Sequence, residues 1–173
     1  TIIDDAVIHF PHLPGTQAAI DIALHDAFCK FLQIPVVDFY GQKIKSLPTS
    51  VTIGIKETAA MIEEAKANFA AGFRILKIKT GIDVDEDIER VNKLTAQVAG
   101  SMRIRVDANQ GYTLQQLKQF IKETKTLNIE LIEQPLPVGE EKQLTLLNTD
   151  ERKLLVADES LLDAGSAMAW AQQ

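Results

Sequence analysis

Residues 74–107 decide the fold class, and they read RILKIKTGIDVDEDIERVNKLTAQVAGSMRIRVD. The two ends of this stretch, Arg74–Lys79 and Arg103–Asp107, are short runs in which branched apolar residues alternate with charged ones, a pattern typical of β-strands. The residues between them, at about 84–99, follow a helical pattern with acidic residues in the first turn, where they favour the helix dipole. Strand, helix and strand in this order predict a βαβ unit with parallel strands.

The same alternation continues on both sides of this unit. Further strands are predicted at Val51–Ile55, Ile129–Glu133 and Leu154–Asp158, with helices at about 57–71, 113–126 and 140–148 and another from about 163. Successive strand ends, from Lys79 to Asp107, Glu133 and Asp158, lie 28, 26 and 25 residues apart. A βαβ unit has about this length, so the spacing predicts about five βα units in one parallel sheet.

Two parallel architectures compete for this pattern. A doubly wound sheet usually carries a Gly-rich phosphate loop after its first strand, whereas here Lys56, Glu57 and Thr58 follow. A TIM (β/α)8 barrel has eight units in about 250 residues. We therefore predict an α/β chain that forms a partial TIM (β/α)8-type barrel of about five βα units. An open five-strand piece leaves unpaired edges, so we expect the natural protein to be longer.

The segment before the first strand has a different character. Thr16 is predicted to cap a helix of about seventeen residues, and Pro35 prevents that helix from continuing. Apolar residues within it recur at helical spacing. We interpret residues 1–47 as the tail of another domain and residues 48–173 as the barrel part.

The composition excludes several classes of protein. Eighteen basic and 24 acidic residues give a net charge of −6, and 46% of the residues are hydrophobic. Such a chain is too apolar to be disordered and has no basic cluster for nucleic acid. No apolar run reaches the roughly 18 residues of a membrane span. Cys29 is the single cysteine, which indicates a reducing, cytoplasmic setting.

Charged residues close four of the predicted strands. Lys77 and Lys79 end one strand and share a face, because strand residues two apart point to the same side. Asp107, Glu133 and Asp158 end the next three strands, where barrel enzymes keep their sites. Singly, each has an ordinary explanation, such as a strand-ending turn, a helix cap or a solvated lysine. The near-constant spacing of all four strand ends argues for a common site.

This set of residues predicts one type of chemistry. Three carboxylates close together repel one another, and Mg²⁺ with its oxygen ligands would resolve the repulsion. A lysine near a metal and another ammonium can act as a base near neutral pH. Metal and amine base together suit removal of the proton α to a carboxylate through an enolate. Glu159 adjoins Asp158, but strand alternation predicts that it points away.

Four motifs in fixed order resemble the signature of the enolase superfamily, muconate-lactonizing subgroup. They are Leu76-Lys77-Ile78-Lys79-Thr80-Gly81, Asp107-Ala108-Asn109-Gln110-Gly111, Glu133-Gln134-Pro135 and Ala157-Asp158-Glu159-Ser160. Within the subgroup the chain is most similar to the dipeptide epimerases of the L-Ala-D/L-Glu type, a likeness that Thr52-Ile53-Gly54 also supports. The resemblance implies that residues 1–47 are the C-terminal helical part of an α+β capping domain. It implies that residues 48–173 are the first five βα units of the barrel domain.

The resemblance also implies a role for each site residue. Lys79 would be the catalytic acid and base, Lys77 would neutralise the substrate carboxylate, and Thr52 would contact the substrate backbone. The Mg²⁺ ligands would be Asp107, Glu133 and Asp158, supported from behind by Asn109 and Arg105. In this family a second base comes from the sixth strand and an acidic motif from the eighth, and both would lie beyond Gln173.

Other functions remain open on these residues. Muconate cycloisomerase, o-succinylbenzoate synthase and N-succinylamino acid racemase share the same half-reaction within the superfamily. A catalytically incompetent metal-binding half-barrel is the non-enzyme alternative. The expected partner is a small carboxylate such as a dipeptide, with no nucleic acid and no membrane, and a homo-oligomer of the full-length protein is left open.

Overall fold

The computed structural model of the protein describes residues 1–98 and 100–171. The chain forms two compact units, Thr1–Leu47 and Pro48–Gln173. Among the described residues, no helix is both long enough and apolar enough to cross a membrane.

The first unit is helical. Its helices in the described chain are α1 (Ile2–His9), α2 (Pro14–Leu32) and α3 (Val36–Phe39). The prediction that Thr16 caps the long helix is wrong, because α2 begins at Pro14 with Leu13 at the N-cap. The reason is that proline suits the first helical turn, where its fixed φ is favourable and its missing N–H is not needed. Helix α2 ends at Leu32, and its C-cap Gln33 adopts a left-handed conformation with φ of 57°.

The second unit is built on one parallel sheet. Over the described residues its five strands are β1 (Val51–Ile53), β2 (Ile75–Lys79), β3 (Arg103–Asp107), β4 (Ile129–Glu133) and β5 (Leu155–Val156). All neighbouring pairs are parallel, and the spatial order is β1-β2-β3-β4-β5. This order has no reversal point, so the sheet is not doubly wound. Sequential parallel strands are the arrangement of a partial (β/α)8 barrel, and the predicted fold class is confirmed.

Helices connect the strands and cover the sheet. They are α4 (Thr58–Ala70), α5 (Val84–Val98), α6 (Leu114–Glu123), α7 (Thr149–Arg152) and α8 (Ala164–Ala171), with a 3-10 helix at Glu141–Leu146. The helix predicted at 140–148 is therefore the 3-10 segment, followed by the short α7. Strand β5 is shorter than the predicted Leu154–Asp158 and ends at Val156. Asp158 thus lies in a turn two residues beyond the last strand.

The two faces of the sheet differ in chemistry. On the helix-covered face, Leu76, Ile78, Ile104 and Val106 are fully buried in a core that also contains Phe120 of α6. Burying one such side chain contributes about 1.5–3 kcal/mol relative to its exposure. Because strand side chains alternate between faces, the residues between these apolar ones point to the opposite face. That opposite face carries the predicted site residues.

Candidate active site

A row of charged side chains crosses the carboxyl end of the sheet. The strand register pairs Lys79 with Asp107 and Asp107 with Glu133, so the three residues lie side by side on neighbouring strands. Thr52 of β1 is paired with Lys77, which lies two residues before Lys79 on β2. The common repeat length of the βα units brings these residues to the same level, as the sequence spacing predicts.

The two lysines neutralise the two carboxylates of this row. Asp107 is only 1% exposed, and its Oδ2 accepts hydrogen bonds from Lys79 Nζ at 2.6 Å and Lys77 Nζ at 2.9 Å. Lys77 Nζ also lies 2.7 Å from Glu133 Oε2. A buried carboxylate needs such partners, because an unpaired charge is costly to remove from water. The Lys77 ammonium therefore bridges the carboxylates of two adjacent strands.

These contacts change the ionisation of the paired groups. Burial disfavours the Lys77 ammonium, but the hydrogen bonds that it donates to Glu133 and Asp107 outweigh this effect, so the pKa of Lys77 is raised. Burial likewise disfavours the Asp107 carboxylate, but the ammonium groups of Lys79 and Lys77 outweigh that effect, and the pKa of Asp107 is lowered. A lysine with a raised pKa remains a cation, which suits Lys77 to neutralising a carboxylate.

Asn109 extends the contacts of Lys79 toward the fifth strand. Its side-chain Oδ1 accepts a hydrogen bond from Lys79 Nζ at 2.7 Å, and its backbone N–H donates to Asp107 Oδ1 at 3.1 Å. Its Nδ2 donates to Glu159 Oε1 at 3.3 Å. The prediction that Glu159 points away from the site is wrong, because β5 ends at Val156 and strand alternation does not continue through the turn. The other carboxylate oxygen of Glu159 is buried without a partner among the described residues.

Asp158 stands apart from the other two predicted ligands. Its backbone N–H donates to Gln134 Oε1 at 3.0 Å, and its backbone carbonyl accepts from Leu161. Its residue is exposed, in contrast to Asp107. Across residues 1–98 and 100–171, no group of three His, Cys, Asp or Glu side chains is gathered closely enough to hold a metal ion. The structure thus brings Asp107 and Glu133 together and leaves the Asp158 side chain outside their cluster.

Arg105 lies on β3 two residues before Asp107, and its contacts go to another acid. Its Nε donates to Glu130 Oε2 at 2.6 Å, and Arg103 Nη1 donates to Glu130 Oε1 at 2.5 Å. An irregularity in the β3–β4 register between Ile104 and Arg105 leaves Glu130 beside the two arginines. The Arg105 hydrogen bond is the main cause that lowers the pKa of Glu130. A supporting role of Arg105 toward the metal ligands stays a prediction.

A buried acid behind the row holds the loop that follows Lys79. Asp87 of α5 is fully buried, and its Oδ2 accepts from the Gly81 N–H at 2.7 Å and from the Tyr112 hydroxyl at 3.0 Å. Its Oδ1 accepts from Arg90 Nη1 at 2.5 Å. Burial, together with the charge of Asp87, raises the pKa of the Tyr112 hydroxyl. In the sequence Asp87 is one of several acids in a helical first turn, and no local signal separates it from them.

The loops after β2 and β3 touch through two glycines. A Cβ atom on Gly81 would lie 2.0 Å from the Ala108 carbonyl oxygen, and Gly81 has a φ of +102°. A Cβ atom on Gly111 would lie 2.0 Å from the Gly81 carbonyl oxygen. Only glycine allows this backbone contact, and the positive φ adds a second requirement. These contacts place the loop after Lys79 directly against the loop after Asp107.

The donor chemistry of the row fits a hard divalent cation. The carboxylates of Asp107 and Glu133 converge on one positive charge, the Lys77 ammonium. Carboxylate oxygens are the ligands that Mg²⁺ prefers. The turn that carries Asp158 is tied by the Gln134 side chain to the loop after Glu133. Asp107 and Glu133 therefore have the donor chemistry to hold Mg²⁺.

The fold and this row define the chain as part of an α/β barrel protein with its functional groups at the carboxyl ends of the strands. A family model described as "Enolase C-terminal domain-like" matches residues 60–173. The chain belongs to this family, which confirms the resemblance seen in the four sequence motifs.

Its relatives include dipeptide epimerases. The chain is 42% identical over 161 residues to the L-Lys-D/L-Arg epimerase of Methylococcus capsulatus, covering 93% of this chain and 45% of that protein. The crystal structure of the dipeptide epimerase from Methylococcus capsulatus complexed with Mg and the dipeptide L-Arg-D-Lys matches with a TM-score of 0.92 and 40% identity. That match covers 97% of this chain and 48% of the other.

A second solved structure is similar over most of the chain. The dipeptide epimerase from Enterococcus faecalis V583, complexed with Mg and the dipeptide L-Leu-L-Tyr, matches with a TM-score of 0.82 and 32% identity. The match covers 89% of this chain and 44% of that one. The chain thus spans about half the length of the relatives it matches.

Proposed function

We propose that the protein containing this chain is a Mg²⁺-dependent dipeptide epimerase. It would remove the proton α to a substrate carboxylate from one face, and a proton would be added to the opposite face of the resulting enolate. The observation that carries the proposal is the row in which Lys79 and Lys77 face Asp107 and Glu133 at adjacent strand ends. The names of the relatives support the dipeptide as the substrate class.

Each residue of the row has a role in this proposal. Lys79 Nζ, a partly exposed amine at the strand end, would remove or add the proton on one face of the α-carbon, and a second base, which the resemblance places on a sixth strand, would act on the opposite face. Lys77, whose pKa is raised, would stay charged and pair with the substrate carboxylate. Thr52, in register with Lys77, would donate or accept a hydrogen bond with the substrate backbone. Asn109 would hold Lys79 in place.

Asp107, Glu133 and Asp158 are the proposed Mg²⁺ ligands, and Mg²⁺ would stabilise the negative charge that develops on the substrate carboxylate oxygens. Asn109 and Arg105 would support these ligands. Residues 1–47 are proposed as part of a capping domain and residues 48–173 as the first five βα units of the barrel. A cytoplasmic location also remains a prediction.

Deuterium uptake in D₂O tests the role of Lys79. The full-length protein that contains this chain is incubated with Mg²⁺ and a panel of dipeptides in D₂O. The appearance of deuterium at the α-carbon is then followed by NMR. Loss of a general base costs about 10²–10⁴-fold, so Lys79→Ala should slow uptake by that factor. Lys118→Ala, an exposed lysine on α6, is the matched control and should exchange at the parent rate. Unchanged uptake in Lys79→Ala would remove the assignment.

The substrate panel separates the alternatives. It contains L-Ala-L-Glu, cationic dipeptides, succinylated amino acids, a muconate and a precursor of o-succinylbenzoate. Turnover of the dipeptides alone supports the epimerase. Turnover of another class instead assigns the protein to that branch of the superfamily, and no turnover together with no Mg²⁺-dependent exchange supports the catalytically incompetent alternative.

A further inference from the structure

The side chain of Gln134 is buried among the loops that follow β3, β4 and β5. The residue is 1% exposed and adopts a left-handed backbone conformation with φ of 36°. Such a conformation is unfavourable for a residue other than glycine, so it persists only where surrounding contacts hold it. A buried primary amide also needs partners for both its oxygen and its nitrogen.

All hydrogen-bonding positions of this amide are occupied. Gln134 Oε1 accepts from the backbone N–H groups of Asp158 at 3.0 Å and Ser160 at 3.1 Å. Its Nε2 donates to the Leu136 carbonyl at 2.9 Å and to Ser160 Oγ at 2.7 Å. An amide offers two acceptor and two donor positions, and each has a partner here.

The hydrogen bonds of the Gln134 side chain begin where the backbone ladder between β4 and β5 ends. The final rung between β4 and β5 is the bond from the Gln134 N–H to the Val156 carbonyl at 2.8 Å. Strand β5 ends at Val156, so the turn that carries Asp158 has no further partner on β4 in the ladder. Beyond this point the side-chain oxygen of Gln134, in place of a backbone carbonyl, accepts the N–H of Asp158.

Two further hydrogen bonds, one to Gln134 and one to its partner Ser160, extend this network. The Gln134 carbonyl accepts the Gln110 N–H at 2.7 Å, which ties in the loop after Asp107. Ser160 Oγ donates to Glu141 Oε1 at 2.6 Å, which fixes the hydroxyl that Gln134 also contacts. Gln134 therefore links the segments that follow Asp107, Glu133 and Val156.

We propose that Gln134 is a positioning residue that sets where the Asp158 carboxylate stands relative to Asp107 and Glu133. This inference rests on the proposed function, in which those three acids bind Mg²⁺. Gln134 touches neither metal nor substrate in this role. It acts through the backbone of Asp158, at the point where the sheet no longer restrains the chain.

The test compares Mg²⁺ affinity and local exchange in matched variants of the full-length protein. Gln134→Met keeps the length of the side chain, adds no charge and removes all four side-chain bonds. Ser160→Ala removes one of them and is the milder variant. Gln115→Met makes the same exchange at an exposed position of α6 and is the control. Mg²⁺ binding is measured by calorimetric titration, and the amides of residues 157–161 by hydrogen exchange without metal.

Supporting residues behind metal ligands affect metal affinity by about 10- to 100-fold, so Gln134→Met should weaken Mg²⁺ binding by that factor. Its amides at 158 and 160 should exchange faster than in the parent. Ser160→Ala should weaken binding less, in the same direction, and Gln115→Met should match the parent. A residue with only a structural role would lower thermal stability without changing the Kd of the folded protein.

A folded Gln134→Met protein that binds Mg²⁺ like the parent overturns the inference. If that variant does not fold, Ser160→Ala decides, and parent-like binding in it has the same consequence. A parent protein that binds no Mg²⁺ overturns the proposed function itself, and with it the role of Gln134 toward the metal. If the parent binds Mg²⁺ and the variants bind it with the same affinity, only the role of Gln134 is overturned.

Discussion

The substitution Asp87→Asn tests whether the buried acid behind the site holds the barrel part together. Asp87 is fully buried and accepts hydrogen bonds from the Gly81 N–H, the Tyr112 hydroxyl and Arg90 Nη1. Asparagine has the same shape but replaces one acceptor by an NH₂ donor. In one orientation the NH₂ group faces the Arg90 guanidinium, and in the other it faces the Gly81 N–H.

The expected loss of stability follows from the Arg90 guanidinium, which would stay buried without its ionic partner. The Arg90 side chain is 11% exposed, so its charge would lose its buried partner. Removing one member of a buried ion pair costs about 3–5 kcal/mol, and the free energy of unfolding of a typical protein is only about 5–15 kcal/mol. We therefore expect Asp87→Asn to lower the free energy of unfolding by about 3–5 kcal/mol.

Urea denaturation of the full-length protein, followed by circular dichroism, measures this change. The control is Glu86→Gln, which alters an acid beside the same guanidinium. Glu86 Oε2 lies 3.5 Å from Arg90 Nη2 and its side chain is 71% exposed, so the change should stay within about 0.5 kcal/mol. A loss of less than about 1 kcal/mol in Asp87→Asn, the average for any substitution, would refute the reasoning.

Three further outcomes are expected. Gly81→Ala should prevent stable folding or cost at least about 1–3 kcal/mol, because its Cβ would lie 2.0 Å from the Ala108 carbonyl oxygen at a positive φ. Gly54→Ala, which meets nothing within 4 Å, should unfold like the parent in the same thermal melt, and equal melts for both would contradict the contact. Glu130→Gln should be less stable than the parent at neutral pH, because Arg105 lowers the pKa of Glu130 in the folded state. This difference should shrink as the pH falls below the ordinary value of 4.5, and a gap that persists in acid would argue against the ion pair. Mg²⁺ at about 100 times its Kd should stabilise the full-length protein by about 2.7 kcal/mol over an EDTA-treated sample, and equal melting curves would argue against a metal site.

The local pattern of the chain predicted most of the barrel strands. Strands β3 and β4 occupy the predicted residues, and the row of Lys79, Asp107 and Glu133 forms at the predicted level. These features depend on alternation within a strand and on a constant repeat length. Both can be read along the sequence without knowing which distant segments touch.

One error occurred where the local strand pattern stops. Strand β5 ends before Asp158, so alternation wrongly directed Glu159 away from the site, although Asn109 Nδ2 lies 3.3 Å from its carboxylate. A strand end depends on where its neighbour stops offering ladder partners, which is a tertiary property. The Thr16 cap was wrong for a local reason, since Pro14 supplies an equally suitable start.

The sequence by itself determined the parallel βα order and the charged residues at the strand ends, because both follow from short periodic patterns. Only the tertiary structure decided that Gln134 holds the Asp158 turn, that Asp87 holds the loop after Lys79, and that the lysines neutralise Asp107. These partners are far apart in the chain, and their pairing depends on how loops from different strands meet once the sheet has formed.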